Sequence, residues 1–314
     1  MPSRSVPSAS PVPASAAVAV VSHRAFATNL AISLRPNQWT KNLLVFAGLI
    51  FAQRLFDPHA LTTSIEAFAV FCALSSVVYL VNDLSDRDAD RLHPTKAQRP
   101  IASGALAPAA AWTAAVVLGA AAMTAAVLIN RSFAVVGGLY LVILSAYSVS
   151  LKHLVILDVL TLASGFVLRA VAGAVAIDVP FSNWLLLVTL LAALFIGLSK
   201  RRAELVSLAG SASGHRRILA EYSPYLLDQM IGVVTASTLI AYAFYTISPE
   251  VVQRFGTDRL IYTVPFVIYG IFRYLYLIHQ REEGGNPSEL LVTDRPLLGC
   301  LALWALAVVI ILYG

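Results

Sequence analysis

Charge is scarce along these 314 residues: Asp, Glu, Lys and Arg together make up 12%, against about 25% in an ordinary soluble domain. Cysteine is scarcer still. Cys72 and Cys300 stand in separate apolar runs with no CxxC spacing, which excludes a disulfide framework and a thiolate metal cluster. No stretch interleaves basic and aromatic side chains over a polar surface, so nucleic acid is not an expected partner, and the net charge of +5 suits anionic lipid headgroups instead. What the chain has in abundance is apolar: 58% of its residues are hydrophobic and its mean hydropathy is +0.77. Its solvent is the bilayer.

Runs long enough to cross a hydrocarbon core, which takes about 20 helical residues, fall at 39–56, 65–82, 107–129, 133–151, 156–177, 182–199, 230–248, 260–279 and 296–313. They predict about nine transmembrane helices, or eight if one of the weaker runs, 39–56 or 133–151, drops out. Direction follows from Lys and Arg, because short loops rich in them stay on the cytoplasmic side. With a cytoplasmic N-terminus the inner segments hold sixteen: Arg4, Arg24, Arg35 and Lys41; Arg87, Arg91, Lys96 and Arg99; Lys152; Lys200, Arg201, Arg202, Arg216 and Arg217; Arg281 and Arg295. The outer loops hold only Arg54, Arg131, Arg254 and Arg259, while Arg169 and Arg273 fall inside apolar runs. The expectation is a multi-pass protein of the plasma (inner) membrane with its charged loops in the cytoplasm. Residues 1–34, rich in Ser, Pro and Ala, read as a disordered cytoplasmic tail, since AAVAVV is short for the core of a signal peptide. Residues 35–314 read as one transmembrane domain.

Charge gathers most densely in NDLSDRDADRLHPTKAQRPIASG, residues 82–104. On a helix with Asp83 at zero, Asp86 falls at about −60°, Asp90 at about −20° and Asn82 at about −100°, whereas Asp88 points away at about 140°. Stacked carboxylates repel one another unless a cation separates them. Their hard oxygens suit Mg²⁺, which is commonly held by one or two carboxylates together with substrate phosphates. NDxxDxxxD therefore reads as a metal-diphosphate site with Asn82, Asp83, Asp86 and Asp90 as ligands; a solvated helix end pairing its Asp residues with Arg87, Arg91 and Arg99 satisfies the same spacing. Beyond it, Pro94 and Pro100 bar a continuous helix and set a loop where Lys96 and Arg99 can hold phosphate oxygens. His93 reads as structural more than catalytic.

This stretch resembles the first aspartate-rich motif of the UbiA superfamily of intramembrane prenyltransferases, and the likeness runs from Arg35 to the C-terminus, beginning with RPNQWTKNLLVF at 35–46. The resemblance implies an all-α polytopic fold, about nine helices in a ring around a central cavity, and a motif that binds Mg²⁺ and a diphosphate. Most members carry a second motif, DxxxD, at the cytoplasmic end of the sixth helix. Here that position reads LFIGLSKRRAEL, 194–205, where Glu204 and Arg201 lie about 40° and about 100° from Lys200. One reading is an interfacial anchor with a Lys200–Glu204 pair worth only about a few tenths of a kcal/mol. The other is a site for a bare anion, or for a metal shared with the first motif.

The pattern is similar to one branch of the superfamily, the decaprenyl-phosphate phosphoribosyltransferases. In that branch NDxxDxxxDrxHPxKxxRPIasG is followed by YSxxLKHxxxLD, here YSVSLKHLVILD at 147–158, and by GFVLRAVAG, SKRRAEL and YSPYLLDQM at 165–173, 199–205 and 222–230. The likeness implies Mg²⁺-dependent transfer of a 5-phosphoribosyl group from phosphoribosyl pyrophosphate to a polyprenyl phosphate, on the route to arabinose-containing envelope polymers. It implies catalytic and metal-binding roles for Asp83, Asp86 and Asp90. The substrate-binding set is Asn82, Lys41, Lys96, Arg99, Tyr147, Lys152, Arg169, Lys200, Arg201 and Glu204. Arg169, deep in an apolar run, reads either as a structural Arg held by carbonyls or as a ligand of a substrate phosphate or of Glu204; Asp158, about 16 Å along the same helix, is out of its reach. Two other functions stand beside this one: prenyl transfer from a prenyl diphosphate to an aromatic acceptor, and transport along intramembrane charges. The oligomeric state is open, a homo-oligomer included.

Overall fold

In the computed structural model the described residues are 23–208, 218, 221–280, 290 and 293–314, and every regular element among them is helical. Helix α1 (His23–Leu34) leads into a 3₁₀ segment, Pro36–Phe46, that continues as α2 (Ala47–Phe51). The long α3 (Pro58–Ser85) is followed by two short helices, α4 (Arg87–Arg91) and α5 (Pro100–Ser103). Then come α6 (Pro108–Ile129), α7 (Arg131–Val149), α8 (Leu157–Ala176), α9 (Asn183–Leu208) and α10 (Pro224–Ile247). After the short α11 (Pro249–Phe255), α12 (Val264–Gln280) and α13 (Arg295–Tyr313) complete the chain.

Eight of these elements are long and apolar enough to cross a membrane. The predicted span at 39–56 is not among them, because no single α-helix covers it. Its place is taken by the eleven 3₁₀ residues Pro36–Phe46 and the five α residues Ala47–Phe51; at roughly 2.0 Å and 1.5 Å per residue these reach about 30 Å. The segment does connect opposite ends of the molecule. Arg35 before it meets Asp83 near the end of α3, while Gln53 after it donates to the Leu312 carbonyl near the end of α13 (2.6 Å). It thus runs from end to end of the molecule beside the eight candidate spans among the described residues. The expected tail also needs correction: His23–Leu34 is helical and is tied to the residue just after the 82–104 stretch by Asn29 donating to the Ala105 carbonyl (3.3 Å). Residues 1–22 of that tail lie outside the described residues.

Helix starts are written locally as a capping side chain followed by proline at the first turn, where the missing N–H costs nothing. Asp57 caps α3 ahead of Pro58, Ser223 caps α10 ahead of Pro224, Ser248 caps α11 ahead of Pro249, and Asp294 caps α13. Successive long helices pack side by side, and α13 closes the ring onto the first segment through Gln53–Leu312 and the Tyr313 hydroxyl, which accepts from the Leu55 N–H (3.3 Å). Large apolar side chains such as Leu128, Val142, Phe272 and Ile310 face outward, as contact with lipid requires. Polar groups go inward: Asn42, Ser75, Asp158 and Arg169 are all buried. The first segment lies so close to α8 that a Cβ on Gly173 would fall 1.7 Å from the Val45 carbonyl oxygen, so only glycine admits the approach.

Candidate functional site

The aspartate motif straddles a break. α3 ends at Ser85 and α4 begins at Arg87, with Asp86 between them. Asp83 and Asp90 are buried and drawn together by one guanidinium: Arg99 Nη1 lies 3.1 Å from Asp83 Oδ1 and 2.7 Å from Asp90 Oδ2. Arg35 adds a second cation to Asp83. Asp86 turns instead to the buried Lys152, on the 3₁₀ turn Leu151–His153. Helical hydrogen bonds run on through the break, from the Asp86 N–H to the Asn82 carbonyl (2.9 Å) and from the Asp90 N–H to the Asp86 carbonyl (2.8 Å); Asp83 and Asp90 share Arg99, while Asp86 has Lys152 as its own partner. Asp88 is 91% exposed and reaches only Arg91 (3.5 Å).

The loop after the motif is ordered by its own residues. His93 Nδ1 accepts from the backbone N–H of Thr95 (3.3 Å) and of Lys96 (3.4 Å), so His93 braces the turn that presents Lys96. Arg99 is extended and followed by Pro100 at the first position of α5, which aims its guanidinium back at the carboxylates. Gly104, at φ +85°, ends α5 in a conformation that favours glycine.

Do these residues suit Mg²⁺? The donor set is right, being carboxylate oxygens with the amide of Asn82. The placement is not that of an all-protein cage: among the described residues no three His, Cys, Asp or Glu side chains converge to hold an ion, and cations stand against Asp83, Asp86 and Asp90. That arrangement fits a metal bound through one or two carboxylates with phosphate oxygens completing its shell. The same phosphates would give Arg99 and Lys152 new anions when the metal takes their carboxylates.

The end of α9 differs from the expectation. Arg201 is buried, and each guanidinium nitrogen has a partner: Nε donates to Asp158 Oδ2 (2.7 Å), Nη1 to Glu204 Oε2 (2.7 Å) and Nη2 to the Tyr147 hydroxyl (3.2 Å). Tyr222 completes the cluster by donating to Asp158 Oδ1 (2.8 Å) and accepting from the Ile156 N–H (2.7 Å). Burial, reinforced by the Asp158 carboxylate, pushes its pKa up to about 12, so it remains a donor. Arg201 and Tyr147, both expected to touch substrate, clamp α7, α8 and α9 together. Lys200 stays half-exposed, 3.9 Å from Glu204. Arg202 bonds Asp228, which His279 also reaches (3.3 Å), joining α9 to α10 and α12.

Arg169 is held within the protein by every guanidinium nitrogen. Its Nε donates to Asn42 Oδ1 (2.7 Å), Nη1 to the Gly165 carbonyl (2.9 Å) and Nη2 to the Tyr140 hydroxyl (2.7 Å), with the Tyr140 and Phe166 rings against its plane. Glu204 and Asp158 are not among its partners. Asn42 passes the connection on to Ser75 (3.1 Å) and Cys72 (3.4 Å) on α3. Arg273 is held by Asp294 (2.8 and 3.2 Å). Sequence reasoning missed Arg35, Asn42, Tyr140, Asp158 and Tyr222 as partners. All but Tyr140 did carry a signal, since Arg35, Asn42, Asp158 and Tyr222 each lie inside one of the quoted blocks.

Below the charged layer lies an apolar cavity of about 320 Å³, walled by Leu44, Ala47 and Phe51, by Phe166 of α8, by Ala192, Ala193 and Ile196 of α9, and by Tyr242, Tyr245 and Trp304. An aspartate-rich stretch and an apolar cavity set among helices are found together in known structures. In three dimensions the chain matches a UbiA homologue from Archaeoglobus fulgidus, whose structure holds GPP and Mg²⁺, with a TM-score of 0.68 over 91% of this chain and 100% of that one at 19% identity. Two relatives named decaprenyl-phosphate phosphoribosyltransferase are each 34% identical. The one from Corynebacterium glutamicum aligns over 289 residues, 90% of this chain and 86% of its own; the one from Mycobacterium tuberculosis aligns over 269, 84% and 88%. The description of the UbiA prenyltransferase family matches residues 42–291, a stretch that takes in the end of the 3₁₀ segment, the aspartate motif and the Arg201 clamp alike, and the chain belongs to that family.

Proposed function

We propose that this chain transfers a 5-phosphoribosyl group from phosphoribosyl pyrophosphate to the phosphate of a polyprenyl lipid such as decaprenyl phosphate, on the cytoplasmic side of the plasma (inner) membrane. The observation that carries the reading is the end of α9. Where a second carboxylate pair would hold the other half of a prenyl diphosphate site, Arg201 is locked to Asp158 and Glu204. One diphosphate site remains, and relatives 34% identical to this chain bear the name decaprenyl-phosphate phosphoribosyltransferase. Sixteen loop cations against four support the cytoplasmic side.

In this reading Asp83, Asp86 and Asp90, with Asn82, hold Mg²⁺ together with the diphosphate, while Arg99, Lys152 and Lys96 hold its oxygens. The metal supplies charge neutralisation to the leaving group. Everything else falls to positioning. An oxygen of the lipid phosphate, already anionic at neutral pH, attacks the anomeric carbon of the ribose; the carbon–oxygen bond to pyrophosphate breaks, and pyrophosphate leaves with the electron pair. No general base is required, and a single in-line displacement inverts the anomeric centre. Arg169 and Arg201 act as positioning residues that fix the 3₁₀ segment and the α7–α8–α9 junction around the cavity.

The test is incubation of detergent-purified protein with Mg²⁺, phosphoribosyl pyrophosphate labelled in the ribose, and a polyprenyl phosphate. Label should enter the organic phase, and EDTA should prevent it. Transfer of a prenyl group from a prenyl diphosphate to an aromatic acceptor, with no ribosyl transfer, would overturn the proposal, as would vesicle uptake without covalent product.

A further inference from the structure

Lys41 stands apart from the other cations around the site. Arg35, Arg99, Lys152 and Arg201 all have carboxylate partners, and Arg169 is held by Asn42, Gly165 and Tyr140. Among the described residues, no ion pair or hydrogen bond engages the half-buried Lys41 ammonium, and its electrostatic neighbours are Lys200, Arg169 and Arg35, cations all. A lysine drawn out of bulk water into the company of three positive groups is unfavourable until an anion joins it.

The geometry of its segment says what else that anion carries. In a 3₁₀ helix residues i and i+3 eclipse, so Pro36–Phe46 presents three distinct faces. Asn42 and Val45 are buried, and Gly48 beyond them continues that row against α8. Thr40 and Leu43 are exposed. Lys41, Leu44 and Ala47 form the third row, and Leu44 and Ala47 line the apolar cavity. On the opposite wall Ile196 lines the same cavity, with Lys200 one turn above it at i+4 on the same face. Two walls of one apolar chamber are thus each headed by a lysine, and the two lysines sense each other. Arg35 links this level to the aspartate motif, being a neighbour of Lys41 and the partner of Asp83.

We infer that Lys41, with Lys200 facing it, is the seat of the acceptor lipid's phosphate, whose prenyl chain descends over Leu44, Ala47 and Phe51. This rests on the phosphoribosyl-transfer reading and assigns within it which phosphate goes where. A dianionic monoester meets two ammonium groups, and its first isoprene units meet the aromatic walls at Phe51, Phe166 and Tyr245. The 5-phosphate of the donor is also a monoester, but it has no apolar continuation to match the cavity below Lys41. The asparagine beside Lys41 is the one Arg169 grips, so Arg169 sets the orientation of Lys41 without meeting the ligand.

The test compares wild type with Lys41→Met and Lys41→Arg in detergent. Binding of a tritiated C20 prenyl monophosphate, measured without donor, should weaken at least tenfold in Lys41→Met and largely recover in Lys41→Arg. In the transfer assay the KM for the lipid phosphate should rise at least tenfold in Lys41→Met while the KM for phosphoribosyl pyrophosphate stays within twofold. Unchanged lipid binding in Lys41→Met would overturn the assignment, and so would a rise confined to the KM of phosphoribosyl pyrophosphate. Because the binding arm needs no reaction, a wild type that binds the lipid phosphate but transfers no ribosyl group would refute the phosphoribosyl reading while leaving Lys41 separately tested.

Discussion

Replacing Arg201 by methionine removes the one group that joins Asp158, Glu204 and Tyr147. Asp158 is completely buried, and without Arg201 it keeps the Tyr222 hydroxyl but no counter-charge. Breaking a buried ion pair from one side costs about 3–5 kcal/mol because the other charge stays in a dry site. Glu204 adds little to this, being partly exposed and able to turn to water. At about 2–4 °C per kcal/mol for a domain of this order of size, the melting temperature in detergent should fall by roughly 6–20 °C. The sharper outcome concerns the double variant. Adding Asp158→Leu removes the stranded charge, so Arg201→Met with Asp158→Leu should recover a large part of the loss, with a coupling of about 1–3 kcal/mol between the two positions. Fluorescence-detected size-exclusion melts give the stability, and steady-state kinetics below the transition give the function, where KM for both substrates should stay near wild type. A stable Arg201→Met protein with a tenfold higher KM for one substrate would refute the clamp and return Arg201 to the ligand set.

Asp86→Asn should abolish most turnover while Asp88→Asn, altering a side chain in solvent, should be mild; equal losses at the two positions, read in the ribosyl-transfer assay, would contradict the geometry of the motif. Gly173→Ala sets a methyl that would fall 1.7 Å from the Val45 carbonyl oxygen, so the first segment must move away and stability should fall by about 1–3 kcal/mol or more, whereas Gly299→Ala, with open space around it, should melt near wild type. In a background lacking Cys72 and Cys300, a cysteine placed in 84–104 should react with an impermeant maleimide from the cytoplasmic side and one at position 314 from the other side; labelling of both from one side would mean an even number of crossings.

Much of this protein was legible along the chain because the relevant physics is local. The length of an apolar run, the excess of Lys and Arg in alternate loops, and a capping Asp or Ser before proline are each decided by neighbours in sequence. They gave the membrane class, the crossing pattern, and the aspartate motif with its ordered loop. Three things could not be read that way. The first crossing is 3₁₀ instead of α, and its tighter winding is what aligns Lys41 with Leu44 and Ala47; the approach to Gly173 that accompanies it is a contact between residues 128 positions apart. Asp86 pairs with Lys152 while Asp83 and Asp90 share Arg99, so a common face on a helical wheel did not mean a shared partner. Arg169 and Arg201 were visible as charges in apolar surroundings, but a buried ion is stabilised by whichever group the adjoining helices bring within about 3 Å. For Arg169 that group is Asn42, 127 residues earlier, and for Arg201 it is Asp158, 43 residues earlier on another helix. Partner choice among buried charges belongs to helix packing, and only the tertiary structure decides it.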